Sequence, residues 1–169
     1  MNDQEKKNKY IPFIGLVDDY VGRSAWDFYS WGHIAMGIGG YLILSLFITI
    51  PNQYMGIPEL IPWWFVWILT ILICGFLWEI FENSLAYYWG WRNKGIDSLL
   101  NSIWDMIFVT IASAVMWLFH YIIVDLLENR IRWFYIVGII SFFIILIIYF
   151  IGFYITNQNT KNARKARKK

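Results

Sequence analysis

The sequence has little charge and almost no cysteine. Only 15% of its 169 residues are charged and 59% are hydrophobic, whereas a soluble domain carries about 25% charged residues. A single cysteine, Cys74, excludes an internal disulfide and a cysteine-based zinc cluster. The composition therefore indicates a membrane protein. Its basic residues gather near the chain ends and in one loop rather than along a face, so nucleic-acid binding is not expected.

Several enzyme motifs are also missing. The chain has no G-x-S-x-G, no P-S-G-H block of lipid phosphatases, no D-G-x-x-A-R block of phosphatidyl-alcohol transferases and no phosphate loop ending in G-K-[ST]. The E-x-x-H pairs of di-iron helical bundles are absent too. These absences exclude the familiar forms of each chemistry and leave the function to be argued from other residues.

Long apolar stretches are what the sequence does have, and each has about the 20 residues that a bilayer-spanning helix needs. They predict an all-α, polytopic helix bundle with four transmembrane helices, preceded by an N-terminal interfacial segment. We expect Pro51 to end the first helix. The predicted organisation is a tail and interfacial segment over 1–30, helices over 31–50, 61–83, 96–124 and 133–155, and a basic cytoplasmic tail over 156–169.

The basic residues predict the orientation. With four spans, both termini and the loop over 84–95 share one side, and that side holds twelve of the fourteen lysines and arginines. The positive-inside rule then predicts that both termini lie in the cytoplasm, with the protein in the cytoplasmic (cell) membrane. The basic tail is expected to contact anionic membrane lipid, and the sequence does not identify a protein partner.

Small residues follow the first predicted helix. His33, Gly37 and Tyr41 recur at four-residue spacing, which places them on one helix face. Small residues on such a face let another backbone approach closely. We therefore expect His33 to lie against a neighbouring helix and not against lipid.

Acidic residues gather at the cytoplasmic ends of the second and third predicted helices. Glu79 and Glu82 are spaced i, i+3, and Asp97, Asn101 and Asp105 follow at i, i+4 and i+8, so each set shares a face. A charge at mid-helix costs roughly 2.5–3.5 kcal/mol on insertion scales, so it usually marks a site or an obligatory pair. The sequence predicts that these groups and His33 converge in a polar pocket near the cytoplasmic leaflet.

Three chemical interpretations of this pocket remain open. Carboxylates with one imidazole suit a divalent cation, for which Glu79, Glu82, Asp97 and Asp105 are the candidate ligands. In metal-free acid–base catalysis, crowding keeps one carboxyl protonated while another group acts as the base. The third interpretation is a buried hydrogen-bond network that fixes helix packing.

The favoured hypothesis is an enzyme, metal-assisted or acid–base, that acts on a lipid or lipid-linked headgroup. The alternative is a non-catalytic membrane subunit or scaffold whose polar cluster locks the helices. For the enzyme, the candidate catalytic residues are Glu79, Asp105 and His33, and the candidate substrate-binding residues are Asn101, Arg92, Asn83 and Ser102.

The segments W-E-I-F-E-N-S and D-S-L-L-N-S-I-W-D, with Arg92 between them, resemble a family of uncharacterised bacterial integral membrane proteins. That family's pattern is W-E-x-x-E-N-S, an arginine-bearing loop and G-D-S-x-x-N-S-x-x-D, with an upstream H-x-x-x-G that His33 and Gly37 match. Ile96 replaces the expected glycine. More distantly, D-x(5)-H is similar to VanZ-like proteins, a group linked to glycopeptide resistance. The resemblance implies a membrane bundle and no particular reaction. The positions that it matches are His33, Glu79, Glu82, Asn83, Ser84, Arg92, Asp97, Ser98, Asn101, Ser102 and Asp105.

Overall fold

The computed structural model describes residue 22 and residues 24–59, 61–91, 96–127 and 131–166. Within these residues all regular secondary structure is helical, and four helices are long and apolar enough to cross a membrane. The all-α fold class is thereby confirmed, and the helices fit a multi-pass membrane protein. They are α1 (Tyr29–Met55), α2 (Trp63–Ala86), α3 (Leu99–Leu126) and α4 (Ile131–Ala166).

Helix α1 is the centre of the bundle and packs against the other three. The glycines of α1 determine how closely the neighbouring helices approach it. A Cβ atom added at Gly37 would lie 2.7 Å from the carbonyl oxygen of Val109 and 2.8 Å from the Cβ of Ala112. One added at Gly40 would lie 2.5 Å from the Sγ of Cys74. The close approach predicted for this face is confirmed, because α2 and α3 both contact α1 where it lacks side chains.

The prediction that Pro51 ends the first helix is wrong. Pro51 lies inside α1, which continues to Met55. The helix ends instead at Gly56, whose φ of 66° is left-handed and whose N–H donates to the Pro51 carbonyl. Proline removes one backbone donor without forcing termination, whereas a left-handed glycine reverses the chain.

Helix α3 begins later than predicted. Ser98 has an extended backbone and its side chain accepts a hydrogen bond from the N–H of Asn101, so Ser98 is the N-cap and Leu99 the first helical residue. Asp97 therefore precedes the helix and does not continue the stripe of Asn101 and Asp105. The prediction that three polar residues line one helical face is wrong at Asp97, since serine competes for the cap position.

Helix α4 is longer than predicted, because the helix runs to Ala166 through most of the expected tail. Gly138 lets it approach α1, since an added Cβ there would lie 2.7 Å from a methyl carbon of Leu42. The opposite side of α4, with Ile140 and Ile144, is exposed. Helix α4 therefore has one packed face and one exposed face.

The described residues before α1 pack against the end of the bundle where α1 begins. Asp27 and Phe28 are each only 1% exposed, although the sequence predicted an interfacial belt here. An added Cβ at Gly152 of α4 would lie 3.1 Å from the Cβ of Phe28. The buried residues correct that part of the interfacial assignment, while residues 1–21 lie outside the described part of the chain.

Candidate polar site

Three helices bring ionisable side chains together at the end of the bundle where α1 begins. The Nε2 atom of His33 on α1 lies 3.5 Å from Oδ2 of Asp105 on α3 and 3.8 Å from Oε1 of Glu79 on α2. All three side chains are buried, with exposed fractions of 5%, 2% and 6% in that order. The structure thus brings together the three residues that the sequence suggested as catalytic. The roles assigned to them remain predictions.

The local shape of α2 directs its glutamates. Two π-helical segments, Ile71–Leu77 and Glu82–Ala86, flank the α-helical turn that holds Glu79. A π-helical turn contains more residues than an α-helical one, so each segment shifts the angular position of the residues after it, and such segments are frequent at functional sites. Between them the chain is α-helical through Phe81, so Glu79 and Glu82 keep their i, i+3 spacing on one face, and their potential ligand atoms lie in one group.

A group able to hold a metal ion is formed by His33, Glu79 and Glu82, whose potential ligand atoms all lie within 4.8 Å of one another. This set differs from the predicted ligands, which included Asp97 and Asp105 and omitted His33. Asp105 adjoins the group through its contact with His33. The Oε2 atom of Glu82 also accepts a hydrogen bond of 3.0 Å from the indole N–H of Trp78.

Asn83 holds Glu79 in place. Its amide nitrogen donates to Oε2 of Glu79 at 3.0 Å and to the Glu79 carbonyl at 3.1 Å. Its oxygen accepts from the backbone N–H of Asp97 at 2.8 Å, and Ser102 Oγ lies 3.5 Å from its nitrogen. Asn83 and Ser102 were predicted to bind substrate. Here Asn83 fixes a carboxylate and ties the end of α2 to the start of α3.

Asn101 also makes a structural contact, in its case with the segment that precedes α1. It is 2% exposed, and its amide nitrogen donates to the carbonyl of Ser24 at 3.1 Å. The N–H of Ser98 donates to the carbonyl of Gly22 at 2.8 Å. Asn101 therefore joins the start of α3 to the chain that precedes α1. Arg92, the remaining predicted substrate-binding residue, lies outside the described residues.

Asp27 is a buried acid that the sequence analysis included only in the D-x(5)-H motif and not among the candidate site residues. Its carboxylate oxygens accept 2.8 Å hydrogen bonds from the N–H groups of Gly22 and Tyr29, and its own N–H donates to Ser30 Oγ. Burial raises the pKa of Asp27 above its ordinary value, against the lowering effect of the backbone hydrogen bonds. An acid six residues before His33 in an apolar context could have revealed it, but the surrounding aromatic residues indicated an exposed interface.

Within the part of the chain that the structure describes, this cluster contains more carboxylates than basic groups. His33 supplies at most one positive charge against the carboxylates of Glu79, Glu82 and Asp105. Oδ1 of Asp105 is buried and has no hydrogen-bond partner among the described residues. Buried charge is costly unless it is paired or neutralised, so crowded carboxyl groups of this kind suit a retained proton or a bound cation. The arrangement can therefore bind a divalent metal or store a proton.

Aromatic rings surround this end of the bundle. Trp26 contacts Phe108 with ring centroids 4.5 Å apart, and the rings of Trp89 and Trp91 lie 5.1 Å apart. Tryptophan is enriched at the boundary between hydrocarbon and headgroups. Rings of this kind are therefore expected near the boundary where lipid headgroups meet their chains.

Comparison with known proteins adds no relative. No family model, curated protein or solved structure matches this chain. The resemblance to the bacterial membrane family and to VanZ-like proteins therefore stays a prediction from the motifs, and the function has to be argued from the site itself.

Proposed function

We propose that this protein is a metal-assisted enzyme of the cytoplasmic membrane that acts on the headgroup of a lipid or lipid-linked molecule. One observation supports this most: His33, Glu79 and Asp105 are buried on three separate helices, and His33 lies within 4 Å of both carboxylates. Ionisable groups at membrane depth are expensive and usually functional. A convergence of three is harder to explain by packing alone than any one of them.

His33, Glu79 and Glu82 would hold the cation. Two carboxylates and a neutral imidazole balance a divalent charge, and a mixed oxygen and nitrogen set suits Zn²⁺, Mn²⁺ or Fe²⁺ better than Mg²⁺. A bound metal of this kind polarises a phosphoryl or carbonyl oxygen and lowers the pKa of a coordinated water. Asp105, beside His33, is placed to hold a proton that the reaction releases.

The position of the site indicates which class of lipid headgroup could reach it. Twelve of the fourteen basic residues belong to the side where α1 begins, so this side would be cytoplasmic. The same positive charge attracts anionic headgroups toward the site. The substrate class is therefore a lipid whose polar group reaches the cytoplasmic leaflet.

A second candidate is a non-catalytic scaffold, and specific contacts favour it. The amides of Asn83 and Asn101 are both used to tie chain segments together. A cluster that only locks helices would use asparagine in this way. Cation binding by the carboxylates distinguishes the two candidate functions, because a cluster that only fixes helix packing does not require a cation.

Elemental analysis of the purified protein tests the proposal. We expect about one transition-metal ion per chain, or restoration of that occupancy when Mn²⁺, Fe²⁺ or Zn²⁺ is added after chelation. Glu79→Gln should lose the ion, whereas Glu59→Gln, an exposed acid outside the cluster, should keep it. Failure of wild-type protein to bind any of these ions after reconstitution would refute the metal-assisted proposal.

A further inference from the structure

An apolar groove of about 540 Å³ lies between α1, α3 and α4. Among the described residues that line it, Ser141 alone carries a hydroxyl group, and Trp26 closes the end next to the polar site. Its rim is open to the surroundings, since Val115 is 58% exposed. The principal lining residues are Ile34, Ile38, Phe108, Val115, Phe119 and Val137.

The groove continues the polar site along α3. Asp105 precedes Phe108 by three residues and Ala112 by seven, so all three fall near one helix face. The rise from Asp105 to Phe108 is only about 4.5 Å along the axis. On α1, Ile34 of the groove directly follows His33. A ligand whose polar end contacts the cluster can therefore extend its apolar part into the groove.

Its lining argues against a helix from another chain as the occupant. Such a contact would use small residues to bring two backbones together. Gly138, the glycine in this groove, is already used within the chain, because an added Cβ would lie 2.9 Å from Cε of Met116. The groove is walled instead mainly by branched and aromatic apolar side chains, which suit a hydrocarbon chain.

We propose that this groove binds one hydrocarbon chain of the lipid whose headgroup lies at the polar site, with the Trp26–Phe108 pair at the junction between the two parts. The inference rests on the proposed function and narrows its substrate to a lipid with a chain held by α1, α3 and α4. The end near Phe108 would face the headgroup, and the end near Phe119 would hold the chain terminus.

Photo-crosslinking of the full chain in nanodiscs tests the groove. The probes are two phosphatidylglycerol lipids, one with a diazirine near the carboxyl end of a chain and one with a diazirine near its terminus. We expect labelling of Ile111 to exceed that of Ile140 several-fold, although the two are 55% and 54% exposed and only Ile111 lines the groove. The first probe should label Phe108, and the second Phe119. Equal labelling at Ile111 and Ile140 or the reverse depth order would overturn the proposal.

A matched pair of variants keeps the test specific. Val115→Trp fills the groove from its rim and should reduce labelling at Val137 several-fold. Ile43→Trp adds the same ring at a similarly exposed position in a separate groove between α1, α2 and α4 and should leave it unchanged. An unchanged yield in Val115→Trp would overturn the chain site. Metal bound without groove labelling refutes this inference alone, whereas groove labelling without metal refutes the metal-assisted enzyme alone.

Discussion

The two ends of the bundle both bury polar side chains, but they satisfy them differently. At the site end, the ionisable group of His33 lies within 4 Å of those of Glu79 and Asp105. At the opposite end the partners are neutral, since Tyr135 OH lies 2.9 Å from Ser45 Oγ and 2.7 Å from Thr49 Oγ1.

The imidazoles show the same contrast. His120, at the end of α3 opposite the site, is 1% exposed and stacks on Trp63 with ring centroids 3.6 Å apart. No described carboxylate forms an ion pair with it, whereas His33 lies within 4 Å of two. Burial of a polar residue in this bundle is therefore no sign of function, and convergence of opposite and like charges is the more informative feature.

Asp105→Asn should have the largest effect, because it keeps the shape of the side chain and removes its charge and its capacity to take up a proton. We expect turnover of the lipid substrate to fall at least 100-fold, the upper range for loss of one acid–base group being about 10⁴-fold. Mass spectrometry of lipids from defined vesicles before and after incubation measures it.

Ser113→Ala is the matched control on the same helix, since its hydroxyl only bonds the Val109 and Thr110 carbonyls. It should keep turnover within about twofold, as expected for a site outside the chemistry. Normal turnover in Asp105→Asn with a lowered melting temperature would instead favour the scaffold and remove the distinction between the two ends.

Asn83→Ala should weaken metal binding by about 10–100-fold, the usual cost of losing a residue that orients a ligand. The reason is the loss of the hydrogen bond to Oε2 of Glu79 and of the contact with the N–H of Asp97. Isothermal titration with Mn²⁺ measures the change. Asn52→Ala, which removes an amide at the opposite end, should bind as wild type, and equal loss in both variants would contradict the role given to Asn83.

Gly37→Ala should destabilise the protein by about 1–3 kcal/mol, as overpacking of a close contact does. The added methyl would meet the Val109 carbonyl at 2.7 Å and force α1 away from α3 one turn from His33. Gly75→Ala is the control, because its nearest neighbour would be 3.7 Å away. Thermal unfolding in detergent compares them, and equal melting temperatures would show that the helices tolerate separation.

Much of this comparison could be predicted from the sequence. Apolar length defines the four spans, and helical periodicity placed His33, Glu79 and Asp105 at one end, where the structure brings them together. Spacing could also identify the glycine face of α1, since close packing requires Gly37 whichever partner approaches.

Other features depend on which of several residues takes a given structural position, such as a helix cap, and a sequence pattern does not reveal this. Ser98 takes the N-cap and leaves Asp97 outside α3, and Gly56 rather than Pro51 ends α1. Glu79 and Glu82 share a face as their spacing predicted, but the ligand set that they form with His33 depends on how the helices pack. Asp27 was missed because its burial comes from tertiary contacts of a segment with an interfacial composition.

Tyr135→Phe tests the neutral end and should have a smaller effect than any change at the site. It removes the shared partner of Ser45 and Thr49, and interhelical hydrogen bonds in membranes contribute about 0.6 kcal/mol on average. Metal content should not change. Tyr154→Phe, at a tyrosine that is 64% exposed, is the control for stability, and loss of metal in Tyr135→Phe would connect the two ends.

The smallest expected effect concerns pH and Asp27. Burial raises its pKa in the folded protein above the ordinary 3.8, so the folded state holds a proton that the unfolded state has released. Its contribution to stability is therefore greatest at low pH and declines as pH rises above about 3.8 through the folded-state pKa. Asp27→Asn does not titrate, so the melting temperature of wild type minus that of the variant should fall across this range.

Asn101→Ala loosens the same segment through the Ser24 contact without changing a titratable group, so its difference from wild type should be flat with pH. Scanning fluorimetry between pH 3.5 and 8 measures both differences. A difference for Asp27→Asn that grows with pH would mean that the ionised carboxylate, through its bonds to the Gly22 and Tyr29 N–H groups, stabilises the fold. The stability of the segment before α1 would then depend on an ionised carboxylate, as is proposed for the polar site. The difference between the site end and the neutral end of the bundle would have to rest on other residues.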